Sequence, residues 1–492
     1  MIRVAAIGVF IGVVTSAVAI GQQPATQQPG QRPTPCELVP QPTTRLTVDT
    51  LPIPGGGQVA FVGGGVLIKC PAKNMTLKGD SAERYPDHDQ LIGHASYDEP
   101  RLHVDADFLN YFPNEDIVKG AGNVHALLPS GSRLDGPQAE YRRPNAKLNR
   151  PHRQMAAIAR PTITVMEKDS TGKPLPPTTV IANQVFMDGD SLIYGGGQVE
   201  INRPDISTNS DSAFIDQEHE TMKLMRNPKM RGKKDRPFTL AGDLITLYSK
   251  NHKLQRVLSQ AKAVATSDSL TLRSDTIDLR VVNDLLDHAY VWGKTSRARA
   301  LSPSQDLIAD SLDVWMPGQR IQLVRALPHA VAQGRPDTTR FKIERPDTND
   351  LLVGDTIVAT FDSLASPRDT SRNPNIKQLV STGHASALYH VAPSDSNETR
   401  FGVNYVTARL ITVDFTQQAT KQKVAVVTTV DSVYGVYIEP RSDSGRARAV
   451  GQKPAQTPTK AQPSKPAPKP PSGSQPASKP PDSTPLLSPR RQ

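Results

Sequence analysis

Two stretches one repeat apart decide the fold: Gly242-Asp243-Leu244-Ile245-Thr246-Leu247 and Ser274-Asp275-Thr276-Ile277-Asp278-Leu279. In each, a small residue and an aspartate open a run in which apolar and polar residues alternate. Period-2 alternation is the pattern of a strand with one buried face. It sets Ile277 and Leu279 on one side and Thr276 and Asp278 on the other, and it sends Ile245 and Leu247 inward with them. Leu312 and Val314 follow the same phase in Ala309-Asp310-Ser311-Leu312-Asp313-Val314.

Outward from these copies the pattern recurs at Gly79-Asp80, Ala106-Asp107-Phe108-Leu109, Ala182-Asn183-Gln184-Val185, Ser210-Asp211 and Gly354-Asp355-Thr356-Ile357. The marks at 80, 107, 183, 211, 243, 275, 310 and 355 lie 27 to 45 residues apart, except for one gap of 76. That gap is expected to hold a degenerate copy near Gly136 and an insertion. A second half-unit alternates small and apolar residues, as in Gly120-Ala121-Gly122-Asn123-Val124, Gly195-Gly196-Gly197-Gln198-Val199, Ala261-Lys262-Ala263-Val264 and Gly383-His384-Ala385. Turn-forming segments such as Phe112-Pro113-Asn114 and Met316-Pro317-Gly318 separate the halves. Each unit is therefore strand, turn, strand. One such hairpin cannot bury its own apolar face, so the units must stack.

The expected fold is all-β, an elongated twisted jelly roll or solenoid of repeated strand-turn-strand units. Helix is confined to the N-terminal segment and a turn or two around Arg153–Ala159. Small residues on one wall would either let the opposed backbones approach or leave room for a ligand. Composition agrees with a thin core: 492 residues, 37% hydrophobic, 5% aromatic, with 33 Gly and 44 Pro,.

The ends differ from the middle. Arg3 followed by apolar Val4 to Ala19, closing on Ala17-Val18-Ala19, reads as a signal peptide over 1–19, with an uncleaved anchor as the alternative. A Pro/Gln-rich leader covers 20–54. The repeats then divide into a section over 55–235, with an insertion near 142–178, and a section over 236–440. Residues 441–492 hold ten Lys/Arg against Asp443 and Asp482, and 12 of the last 42 residues are proline. This tail is expected to be extended and disordered, either a spacer or a contact for an anionic envelope surface. It carries +8 of the formal +10, so the basic balance is no sign of nucleic-acid binding. In an oxidising compartment Cys36 and Cys70 would either pair or remain free thiols.

Two basic runs interrupt the repeats. Arg142, Arg143, Arg150 and Arg153 fall in one; Arg231, Lys233 and Lys234 fall in the other. As loops they would form either solvated surface or patches for anionic headgroups or a partner protein.

Motifs of chemistry are absent or accidental. Gly189-Asp190-Ser191-Leu192 matches an esterase signature, but Asp-Ser-Leu recurs at 268–270, 310–312 and 362–364 as a by-product of the alternation,. The glycine runs lead into strands rather than a helix N-terminus, which excludes a phosphate cradle. The eleven histidines are scattered, without metal-ligand spacing, and those such as His288 and His384 read as structural. Trp292 and Trp315 are too few for a nucleic-acid platform. No catalytic residue, metal or cofactor is expected.

The order of these half-units resembles the organic-solvent-tolerance (OstA-like) family, over about residues 57–437. That family includes the periplasmic lipopolysaccharide-transport bridge protein and the N-terminal domain of the outer-membrane lipopolysaccharide assembly protein. The resemblance implies a jelly roll whose V-shaped apolar groove carries acyl chains of lipopolysaccharide or a related glycolipid. Leu109, Val185, Ile245, Leu247, Ile277, Leu279, Leu312, Val314 and Ile357 would line the groove. It further implies joining to other such jelly rolls at edge strands, a periplasmic location and no catalysis. The chain departs from the bridge protein in having more units than one module, and from the assembly protein in ending on a tail. A non-transport envelope scaffold held by its basic tail is the alternative. An exported polysaccharide-binding β-helix would want aromatic ladders, which 5% aromatic content disfavours.

Overall fold

The computed structural model describes residues 36–39, 47–54, 57–169, 171–233, 237–267, 270–302, 305–334, 349–362, 375–391, 401–418 and 421–439. The segment expected to be a signal peptide (1–19), most of the expected leader (20–54) and the expected tail (441–492) lie outside the described residues. Within them are 32 strands, three single 3-10 turns and no α-helix, and all pairing is antiparallel in one continuous sheet.

The sheet is folded along its length into two walls. The strand Leu192–Asn202 shows how. Its first half pairs with Gln184–Asp188, its second half pairs with Thr178–Ile181, and the register breaks between Gly196 and Val199. The same break recurs at Ile92/Ala95, Asp105/Phe108, Ala121/Val124, Gln260/Ala263 and Thr382/Ala385. Each such strand is a rung that climbs one wall, turns a corner and descends the other. Elsewhere the rung is two short strands joined at the corner, as with Thr221–Met225 and Lys229–Gly232. Roughly twenty rungs at about 4.8 Å each give a sheet about 100 Å long.

The two sequence half-units are the two kinds of corner. Rungs running in one direction turn on a left-handed pair: Gly93-His94, Gly122-Asn123, Gly197-Gln198, Ala261-Lys262 and Gly383-His384 all have positive φ. Rungs running in the other direction turn at the aspartate. The aspartate then caps its neighbour's corner. His94 Nδ1 lies 2.8 Å from Asp80, Asn123 donates to Asp107 at 3.0 Å, Asn227 to Asp211 at 3.2 Å, and His329 Nδ1 lies 2.8 Å from Asp310. At Gly122 (φ +72) a Cβ would sit 2.3 Å from the Asp107 carboxylate, so the close cap itself demands glycine,. Asp275 faces a longer corner and accepts from Lys294 and Thr295 N–H at 2.7 Å and from the Ser296 hydroxyl at 2.6 Å. These bonds, that from Ser296 first, hold its carboxyl well below the usual range.

The wide gap between marks has two contents. Gly136 lies at a corner, and a complete rung follows, Gln154–Ile158 with Thr162–Val165. The helical turn expected around Arg153–Ala159 is therefore a strand, because Met155 and Ala157 alternate into the core; helical geometry survives only in the 3-10 turn Ala146–Leu148. The true insertion is the hairpin over 166–177. Hydrogen bonding passes without a break across the boundary at 235/236, where Lys229–Gly232 pairs with Thr239–Ala241.

Candidate functional site

All nine residues expected on the groove wall lie on one wall and point inward. Each is buried, from 0% exposed at Leu109, Ile245, Ile277, Val314 and Ile357 to 3% at Val185. Opposite them the second wall presents small residues in its C-terminal part: Ala298, Ala300, Ala309, Ala330, Ala332, Ala385 and Ala387. Of the two outcomes open for small residues, close approach is the one this structure adopts, and one apolar cluster runs from Val62 to Val413. Towards the N-terminus the second wall carries bulkier groups, Ile68, Leu77, Tyr97, Leu134 and Ile163. In this part cavities open along the mouth, the side opposite the corner.

Polar ties cross that mouth. Lys73, from a turn of the second wall, donates to Asp116 at 2.7 Å and to the Tyr111 hydroxyl at 2.8 Å on the first. Burial opposes the Lys73 ammonium, but the bonds to Asp116 and Tyr111 outweigh it and its pKa is raised. Glu99 accepts from Arg143 Nε and the Tyr97 hydroxyl, each at 2.9 Å, and from the Tyr141 hydroxyl. Burial pushes both tyrosines up, keeping them neutral donors,. Further along, Arg203 donates to the His252 carbonyl at 3.2 Å, and His252 Nδ1 lies 3.0 Å from Glu167. Of these residues sequence reasoning singles out Arg143 alone, as part of a basic run, and misses its partners. The partners Lys73 and Asp116 are 43 positions apart, so no local pattern signals them.

Arg142, Arg143, Arg150 and Arg153 of the first run all have partners within the fold. Arg142 pairs with Glu140, Arg143 with Glu99 and Arg153 with Asp190, while Arg150 donates to the carbonyls of Arg143 and Glu115. The second run forms a rung instead of a loop, since Met222, Leu224 and Met230 alternate inward. Its corner sends Lys223 to one wall and Arg231 to the other, so the charges disperse. Lys233 donates to the Arg203 carbonyl at 2.7 Å; Lys234 lies outside the described residues.

Cys36 and Cys70 form a disulfide, Cα–Cα 4.1 Å, beside the pairing of Glu37–Leu38 with the strand Gln58–Cys70. At the other end, the strands Lys421–Val430 and Tyr434–Ile438 each pair on one side only among the described residues. They expose Val424, Val426, Tyr434, Val436 and Ile438.

Gly189-Asp190-Ser191-Leu192 is a hairpin turn, with Gly189 at φ +64. Ser191 has no side-chain bond to a histidine among the described residues. His288 and His384 pair with Asp313 and Asp355. Trp292 and Trp315 lie outward, each just over 40% exposed. No cluster of three metal-ligating side chains occurs among the described residues, and no helix there is long and apolar enough to cross a membrane.

A scan against models of protein families and a search of curated proteins both find no match.

Proposed function

We propose that the chain binds the acyl chains of lipopolysaccharide or a related glycolipid between its two walls, and helps pass that lipid across the periplasm towards the outer membrane. The reading is carried by the single apolar seam that runs without interruption through successive rungs. Among the described residues the walls are joined by backbone at the corner and by side chains alone at the mouth. Parting them therefore breaks no strand pairing. An acyl chain that replaces wall–wall contact recovers about 0.8 kcal/mol per buried CH₂. The terminal strands, each with one edge without a partner among the described residues, are the natural docking edges for another jelly roll of this kind,.

A photocrosslinking amino acid at Leu279 or Leu312 in living cells, with Thr276 and Asp313 as outward controls, tests the proposal. Labelled glycolipid from the inward pair alone is the expected result. Equal or absent labelling favours a second reading, a rigid envelope spacer. The observation favouring that reading is the closeness of packing at the nine wall residues, none more than 3% exposed.

A further inference from the structure

We propose that the insertion breaking the repeat spacing builds a discrete side site for one single-chain amphiphile with an anionic head. The inference takes its class of ligand from the lipid-carrying reading, and its location and head-group chemistry from the mouth itself.

Two cavities adjoin at the mouth. One, of about 870 Å³, is a cleft rimmed by charged side chains that reaches from Lys73 and Glu99 to the 189–192 turn. The other, of about 490 Å³, has an apolar floor of Leu134, Ile163, Val165, Met187 and Ile193. Both volumes fall in the range of small-molecule sites. They share Arg101, Arg153 and Asp190, so a molecule lying across the boundary has its polar end beside two guanidinium groups and its apolar end inside the seam.

At the boundary the charges favour an anion. Around the apolar cavity stand Arg101, Arg133, Arg153 and Lys168 against Glu167 and Asp190. The wider cleft holds Lys73, Arg101, Arg143 and Arg153 against Glu99, Asp188, Asp190, Asp216 and Glu218, so an anionic head is favoured only beside the shared arginines. Arg153 is held in place by Asp190 and by a 3.1 Å bond to the Arg101 carbonyl. The Arg101 guanidinium is exposed and has no ion-pair partner among the described residues. A fixed arginine beside a free one suits a phosphate or carboxylate, which accepts from two planar forks at once.

The inserted hairpin roofs the site. Met166, Glu167 and Lys168 line the cavity. The Met166 N–H is anchored to Ser132 Oγ at 2.9 Å, and Glu167 reaches His252 on the opposite wall. That last tie is about one-third exposed on both sides, weak enough to open without disturbing any strand,.

The test uses the purified full chain with two diazirine-bearing probes, hexadecyl phosphate and hexadecyl maltoside. Saturable binding is expected, with the phosphate favoured by about tenfold. Label should map to the strands holding Leu134, Ile163, Met187 and Ile193, and Arg101→Ala should abolish the head-group preference. Because the Arg101 side chain is exposed and unpaired, this variant keeps the fold, which circular dichroism checks. Unsaturable binding, equal affinities, label elsewhere or a preference that survives Arg101→Ala overturns the proposal. Failure here with labelling at Leu279 and Leu312 removes only the side site; failure at both removes the lipid reading itself.

Discussion

Single residues hold this structure at two lines, the corner and the mouth. At the mouth, Glu99 neutralises Arg143 and satisfies two tyrosine hydroxyls, with the Glu99 side chain 7% and the Arg143 side chain 17% exposed. Glu99→Ala strands a mostly buried cation, a change that costs about 3–5 kcal/mol in comparable pairs; chemical denaturation of the variant should show a loss near the lower bound. At the corner, Gly122→Ala forces a left-handed alanine against Asp107, and about 1–3 kcal/mol of destabilisation is expected. Asp107→Ala in the same chain should recover part of it, which a double-mutant cycle would measure. The exposed His94 is raised above its ordinary value of 6.5, first by the hydrogen bond with Asp80. A group raised on folding gives stability that is complete below its unfolded pKa and lost as pH rises through the folded one. An NMR titration should place His94 above 6.5, and Asp80→Asn should bring it down.

At the scale of the rung, much is legible in the sequence. Alternation at Ile245, Leu247, Ile277 and Leu279 identified strands and their inward faces, because a two-residue period is local information. The small-residue and aspartate marks were visible too, but their meaning was not. Asp80 caps His94 fourteen positions later, and only the fold shows that the two half-units are opposite corners of adjacent rungs. The basic run that holds Arg231 and Lys233 reads as a loop in the sequence because its cations mask the inward alternation of Met222, Leu224 and Met230. The mouth ties were out of reach, being contacts between turns far apart in sequence. Ile277→Ala tests the packing of a rung: a loss of about 2–5 kcal/mol is expected for a fully buried side chain facing the second wall. Hydrogen exchange should show the loss concentrated in neighbouring rungs, since each rung touches little else.

Between residues 57 and 439 the described rungs form a quasi-linear stack. Its unfolding should be multiphasic, with circular dichroism and calorimetric enthalpies that disagree. The exposed Val426 and Val436, on terminal strands paired on one side only among the described residues, predict concentration-dependent self-association. Val426→Lys with Val436→Lys should suppress it in sedimentation experiments. Reducing the Cys36–Cys70 bond should leave that association intact, since the disulfide lies at the opposite end of the sheet.

The alternation of aspartate corners with left-handed corners also sets a counting rule. Each rung carries the chain from one wall to the other, so only an even number of rungs can be added or removed without reversing every later strand. Length is quantised in two-rung steps of about thirty residues. Deleting residues 244–275 joins one aspartate corner to the next and should give a shorter, folded chain. Deleting residues 244–260 joins corners of opposite kind and should give none. Lineages that lengthen or shorten such a rod are held to the same arithmetic.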